Sequence, residues 1–191
     1  MFTHRKQRGV SLVELVLFIV IVGIAIAGIV SVLNVTTRSS ADPLIRKQAL
    51  AIAESLLEEV QLMPFTFCDP NDANAEDATA ADATNCPGTS GGGVENIGPE
   101  AGETRYAAPH FDNVNDYHGF AMNGSILDIT GTAIPLVAGY SASVTVANAA
   151  LGTIAAGSGN ALLITVTVTG PDNVPIVLEG YRTRYAPRTL P

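Results

Sequence analysis

The chain has 191 residues, 47% of them hydrophobic and 15% charged, with 18 acids against 10 bases, two cysteines and no tryptophan. That length holds one modest core plus an appendage rather than two full domains, and the low charge with positive mean hydropathy excludes a disordered chain and points to a membrane segment. A net charge of −8 excludes nucleic acid as the main ligand, because a phosphate-backbone binder needs a basic footprint.

The bases are unevenly placed, with Arg5, Lys6 and Arg8 standing ahead of the first apolar run. From Leu15 through Thr37, 23 consecutive residues carry no formal charge. As an α-helix rising ~1.5 Å per residue, this run crosses the ~30 Å hydrocarbon core of a bilayer. It exceeds an ordinary signal-peptide core of ~7–15 residues. The leading bases, with only Arg38 immediately behind the run, orient the amino terminus to the cytoplasm and the remainder outside. Gly23 and Gly28 inside the run permit close helix approach. Glu14 is the only charge between Arg8 and Arg38, and a carboxylate there is costly unless it reaches the headgroups or finds a partner.

Residues 8–15 read Arg-Gly-Val-Ser-Leu-Val-Glu-Leu: a basic leader, Gly9, then an apolar helix with glutamate at its fifth position. This string resembles the class III signal of type IV prepilins and pseudopilins. The resemblance implies that a prepilin peptidase cuts after Gly9 and methylates the new amino terminus at Val10, where most of the family has Phe or Met. It further implies that Glu14 of an incoming subunit neutralises the terminal amine of its neighbour, a group with a reference pKa of ~7.7–8.0. Such a charge gains its partner only on assembly, which favours correct register. The implied fold is α+β and pilin-like: a long N-terminal helix, half transmembrane and half amphipathic, packed on a C-terminal antiparallel sheet. The implied partners are the peptidase, the membrane, an inner-membrane assembly platform and major and other minor pilins, with no cofactor, catalytic residue or metal. The implied route runs from the inner membrane, with the folded domain periplasmic, to a filament at the cell surface. On this reading residues 1–9 are leader, 10–41 the filament-core helix, 42–63 the amphipathic helix and 64–191 the globular domain.

Ser40-Ala41-Asp42-Pro43 reads as a helix start with Asp42 as N-cap and Pro43 at the first position, or as a kink in one longer helix. Ile45, Ala49, Ile52, Leu56, Val60 and Met63 recur at three- and four-residue steps, a stripe for a sheet to pack against, while Arg46, Lys47, Glu54, Glu58 and Glu59 cover other faces. Pro64 ends it. Residues 64–116 read as an acidic loop: 69–103 holds eight acids and no base, with too little apolar side chain for a core. Cys68 and Cys86 enclose 17 residues, and an extracytoplasmic pair should oxidise, adding ~3 kcal/mol in the chain-entropy model. Zinc would need further ligands that the spacing does not supply. Asp69, Asn71, Asp72, Asn74, Glu76 and Asp77 suit a hard cation by type, yet the central Gly and twelfth-position Glu of an EF-hand are missing, so a solvated acidic loop is expected.

His110 and His118 flank a segment whose Phe111, Val114, Tyr117 and Phe120 are expected to anchor a polar turn in the core; no nucleophile or HExxH spacing supports catalysis there. The Asp42-Pro43 start, Glu58-Glu59, Gly98-Pro99-Glu100-Ala101-Gly102-Glu103, Phe111-Asp112 and Tyr117-His118-Gly119 together look like one branch of the family, the D-type minor pilins of the mannose-sensitive haemagglutinin (MSHA) pilus. The remainder reads as β-sheet over 126–185. Tyr140, Ala142, Val144 and Val146 alternate with polar residues, Leu162, Ile164, Val166 and Val168 form a second alternating run, and a turn at Gly170-Pro171-Asp172-Asn173 leads into a third strand near Val174 to Tyr185. Arg182, Arg184 and Arg188 form a small basic end for which a solvated strand edge is the default expectation and docking of the acidic loop or of a neighbouring subunit the alternative.

The leading reading is a minor pilus subunit that initiates or caps a filament or supports adhesion, and a type II secretion pseudopilin is its near alternative. A bitopic periplasmic binding or sensor module would keep its leader, and a secreted protein cut near Ser39-Ser40-Ala41 would begin at Asp42. An enzyme is disfavoured because no nucleophile elbow, phosphate loop or metal-ligand spacing occurs.

Overall fold

The computed structural model describes residues 9, 11–75, 86 and 93–184, without the side chains of 34–42. It divides into two compact units, residues 1–44 and 45–191. Helix α1 (Leu12–Leu62) contributes to both and contains Pro43. The cap expected at Asp42 concerns a side chain outside the described ones, and Glu76, Asp77, Tyr185 and Arg188 also lie outside the described residues.

In the first unit, Leu12–Leu33 is apolar along its length, 22 residues with a mean hydropathy of 3.1, and none of it is buried within the chain. In the second unit the helix is amphipathic. Ala49, Ala53, Leu56 and Val60 are fully or almost fully buried, and Ile45, Ile52, Leu57 and Met63 pack around them. This is the stripe that the three- and four-residue spacing predicts, because those steps return a side chain to one face of the helix.

That face meets a four-stranded antiparallel sheet in the order β1 (Ala121–Met122), β4 (Ser141–Asn148), β5 (Ala161–Thr169), β6 (Pro175–Thr183). Register places Val144 opposite Val166, Val146 opposite Ile164, and Val166 opposite Leu178. Ala142, Val144 and Val146 from β4 and Leu162, Ile164, Val166 and Val168 from β5 share one core with the helix stripe, as side-chain alternation requires. The helix comes close because small residues face it. A Cβ on Gly180 would collide with Gln61 and press Leu57, and one on Gly170 would stand 2.7 Å from Ile45.

Two parts of the sheet region differ from the expected span of 126–185. Strand β1 begins earlier, at Ala121, and is too short to produce a period-two signal. Residues 125–138 form a separate hairpin of β2 (Ser125–Leu127) and β3 (Ala133–Ala138). Ile134 and Leu136 of β3 are exposed, so local hydrophobicity is a poor guide to that strand.

Among its described residues, the long connection between α1 and β1 carries a 3-10 helix at Val114–Tyr117 and otherwise only isolated bridges. Cys68 and Cys86 are joined by a disulfide, with Cα atoms 5.4 Å apart. The aromatic anchors sit as expected: Phe111, Val114 and Tyr117 are buried and Phe120 packs against them. Phe111 meets Tyr117 edge-on at 5.0 Å, and Phe120 meets both at 6.1 Å. Such tilted and T-shaped contacts suit the ring quadrupoles.

Candidate functional site

Of the residues named for processing, Gly9 is exposed, while Val10 lies outside the described ones. Helix α1 begins at Leu12, which makes Glu14 its only first-turn acid. Ser11 precedes the first helical residue and its carbonyl accepts the Leu15 amide at 3.1 Å. Ser11 and Glu14 therefore have the spacing of a capping box, in which each side chain serves the other's backbone N–H. A negative charge at a helix amino terminus also complements the macrodipole. Sequence reasoning that weighed Glu14 as a membrane charge and as the partner of a neighbour's amine did not consider this local spacing. Behind it, Leu15, Phe18, Ile19, Ile24, Ile29 and Leu33 are all more than half exposed. Gly23 and Gly28 have no heavy atom of the described residues within 4 Å of where a Cβ would stand. The apolar surface is therefore exposed along Leu12–Leu33, the form expected of a segment whose solvent is lipid or other helices.

A polar knot joins α1 to the loop. The Arg105 guanidinium donates Nε to Glu59 Oε1 at 2.6 Å and Nη2 to Oε2 at 2.7 Å, while Nη1 reaches the carbonyls of Leu127 and Asp128. The Tyr117 hydroxyl donates to Glu59 Oε1 at 2.8 Å. Burial pushes the Glu59 carboxyl up, but the hydrogen bonds from Arg105 and Tyr117 outweigh it and hold the carboxyl below its usual range. Glu59 also raises the pKa of Arg105, whereas Tyr117 is raised first by burial and then by Glu59. The sequence reading put Glu59 on a solvated face, since nothing local links it to an arginine 46 residues away.

The acidic loop is not a uniformly solvated one, because several of its acids are buried. Asp69, Asp72 and Glu95 are 2%, 5% and 8% exposed. A short antiparallel bridge pairs Cys68 with Val94, with the Asp69 amide on the Gly93 carbonyl and the Glu95 amide on the Phe67 carbonyl, both at 2.9 Å. Period-two alternation then turns Asp69 and Glu95 to the same side of the pair, away from the cysteine. The turn at 100–103 closes with the Glu103 amide on the Glu100 carbonyl at 3.1 Å, and the Gly98 amide reaches the Asn115 carbonyl at 3.1 Å. Asp116 is wholly buried on the 3-10 helix. Its Oδ2 accepts the amides of Asp112 and Asn113 at 2.9 and 2.7 Å.

These loops bring one ligand oxygen each from Asp69, Glu95 and Glu100 within 4.8 Å of one another, and likewise one each from Glu100, Glu103 and Asp116. Burial and then the neighbouring carboxylates push Glu95 up to about 9 and Glu100 up to about 8. The same two causes carry Asp112 to about 6. Burial also raises Asp116, against the two amides that it accepts.

The arginines depart from the expected solvated edge as well. Arg184 stacks between Phe65 and Phe67, 4.0 and 3.7 Å from their ring centroids, and burial lowers its pKa to about 10 against the pull of Glu95. Arg182 reaches the Met63 carbonyl just past the end of α1, at 3.3 Å. His110 and His118 do not enter either acidic group; His118 Nδ1 instead accepts the Val146 amide at 3.2 Å.

Residues 4–30 match the family model described as the prokaryotic N-terminal methylation motif. The match supports a type IV pilin or pseudopilin, and with it a structural subunit that is processed by a prepilin peptidase, assembles with other pilins and is anchored in a membrane. The long apolar helix and the antiparallel sheet form the α+β arrangement of such subunits. Comparison with curated proteins and with solved structures gives no match.

Proposed function

We propose that this chain is a minor subunit of a type IV pilus of the MSHA kind, made as a precursor, held in the inner membrane with its folded unit in the periplasm, and drawn into the filament through its apolar helix. The match of residues 4–30 to the methylation motif, which covers the basic leader, Gly9, Glu14 and the apolar run together, carries this reading. The loop phrases Gly98 to Glu103 and Phe111 to Gly119 support the branch. Cleavage after Gly9 frees the amine of Val10, which the peptidase methylates. Glu14 of the entering subunit then pairs with that amine on its neighbour, and the exposed Leu12–Leu33 surface is covered by the helices of other subunits. In the filament the subunit initiates or caps the fibre or supports adhesion. A pseudopilin of a type II secretion system uses the same leader, and the composition of the filament carrying the protein separates the two.

Amino-terminal mass spectrometry of the protein from sheared surface filaments should find N-methylated Val10. A retained leader or a start at Asp42 would return the chain to the bitopic or secreted class. Glu14 has two candidate roles, and two variants part them. Glu14→Gln keeps a capping-box acceptor but no charge, whereas Glu14→Ala removes both. Both variants should insert in the membrane, and both should be depleted from filaments by about tenfold or more, the scale of one lost buried charge pair. Normal incorporation of Glu14→Gln would leave only the capping role standing.

A further inference from the structure

We propose that Asp69, Glu95, Glu100, Glu103 and Asp116 form a binding site for one hard divalent cation of calcium's size, which ties the α1–β1 connection together. The site is distinct from the Asp69 to Asp77 run that sequence spacing suggests. Only Asp69 is common to both, and the other ligands come from three segments that the fold brings together.

Clustered acids alone prove nothing, because exposed carboxylates gather on many surfaces. Here Asp69, Glu95 and Asp116 are buried, and Glu100 and Glu103 are half-buried. Glu95 is 92% buried by its 8% exposure, its carboxylate belongs to the first group of three, and no hydrogen-bond donor among the described residues reaches either Oε1 or Oε2. Asp116 is 0% exposed, and its Oδ1 has no donor although Oδ2 has two. Glu100 Oε2 is buried and without a donor as well. Leaving a buried acceptor unsatisfied costs ~1–3 kcal/mol, and more for a charged one. Cationic side chains do not supply the missing partner. The ion pair among the described residues is Arg105 with Glu59, and Arg184, which feels the charge of Glu95, is held between two aromatic rings and makes no ion pair with it.

The geometry suits a calcium-sized ion. Ca²⁺ takes 6–8 oxygens at ~2.3–2.6 Å, so ligands on opposite sides of it stand up to about 5 Å apart. Both groups of three fall within 4.8 Å and share Glu100, so an ion at the shared carboxylate draws on three carboxylates of either group, with water or backbone oxygens completing its shell. Mg²⁺ demands a tighter octahedron at ~2.0–2.1 Å and gives up its water reluctantly, so it fits less well. The physical role follows from placement: the buried apolar side chains of this connection, Phe65, Phe111, Val114 and Tyr117, join the main core, and a cation would cross-link the acidic segments beside the disulfide at Cys68.

The rival account is a cluster held by shared protons, which needs no metal. To separate them, the full-length protein in detergent is stripped with EGTA, melted by far-UV circular dichroism, and titrated calorimetrically with CaCl₂. Calcium at a hundredfold excess over Kd should raise Tm by about 5–10 °C, with a smaller rise from MgCl₂ at matched ionic strength. Glu95→Gln and Glu100→Gln should each weaken calcium binding at least tenfold while melting no lower than the wild type in EGTA, since each replaces a buried carboxyl group by a neutral amide of the same shape. Glu54→Gln, on the exposed helix face, should bind normally. Two variants are used so that a folding failure in one leaves the other to decide. The absence of both heat and Tm shift in the wild type, an equal response to magnesium, or a calcium response that survives in either folded variant would each overturn the site.

Discussion

Arg105 shows how much a single side chain can organise. Its five donors meet a carboxylate in the planar, two-bond geometry that lysine cannot reproduce, and the remaining N–H groups satisfy two carbonyls at the end of β2. Removing one member of such a buried pair leaves the other charge without a partner. Arg105→Ala should therefore destabilise the folded unit by about 3 kcal/mol and lower Tm by roughly 6–12 °C. The double replacement Arg105→Met with Glu59→Leu should cost less than Arg105→Ala alone, because it removes both charges and keeps apolar volume. A double-mutant cycle read by thermal melting checks both statements, and additive losses would mean that the pair is not coupled.

At the scale of elements, the contact between α1 and the sheet depends on what is missing from β6. Gly180 lies opposite Ile164 in register and beneath Leu57 and Gln61 of the helix, where an added methyl would displace the flexible amide end of Gln61 and press Leu57 Cδ1 at 3.1 Å. Gly180→Ala should therefore cost less than about 1 kcal/mol, since Gln61 can swing aside and alanine is ordinarily the better residue inside a strand. A loss of about 3 kcal/mol in thermal melts would show that Gln61 and Leu57 are held in place. Helix α1, β4 and β5 were legible beforehand because each is written in its own period: three- and four-residue steps for the helix, strict alternation for Ala142 to Val146 and Leu162 to Val168. The hairpin of β2 and β3 was not. Its Ile134 and Leu136 point to solvent, so its pattern reports no core. The cluster of Asp69, Glu95, Glu100 and Asp116 was equally hidden, since its members become neighbours only through a two-residue bridge and two tight turns.

For the folded unit as a whole, pH should act in two opposed ways. Glu59 has a folded pKa below its unfolded value, so its contribution is present above about pH 4.5 and is lost as pH falls through the lowered value. Glu95 and Glu100, raised to about 9 and about 8, act in the other direction. Each keeps a proton in the folded state that the unfolded chain has already released, so their contribution is fully present below about pH 4.5 and is lost as pH rises toward 8–9. In EGTA, stability should therefore peak on the acid side of neutrality and decline steadily from about pH 5 to pH 9. Denaturant melts at intervals of one pH unit test this, and a flat or rising profile over that range would contradict the buried state of the cluster.

The amino-acid order by itself determined the long apolar run, the leader string around Gly9 and Glu14, the amphipathic stripe and the two central strands. All of these are local signals, written within a few helical turns or one strand and readable from spacing alone. Tertiary structure alone decided which polar residues are buried and with whom: Glu59 with Arg105 and Tyr117, Arg184 between Phe65 and Phe67, and four acids gathered around Glu100. Those pairings join residues tens of positions apart through loops without periodicity, and a charge on such a loop reads the same in sequence whether water or protein surrounds it.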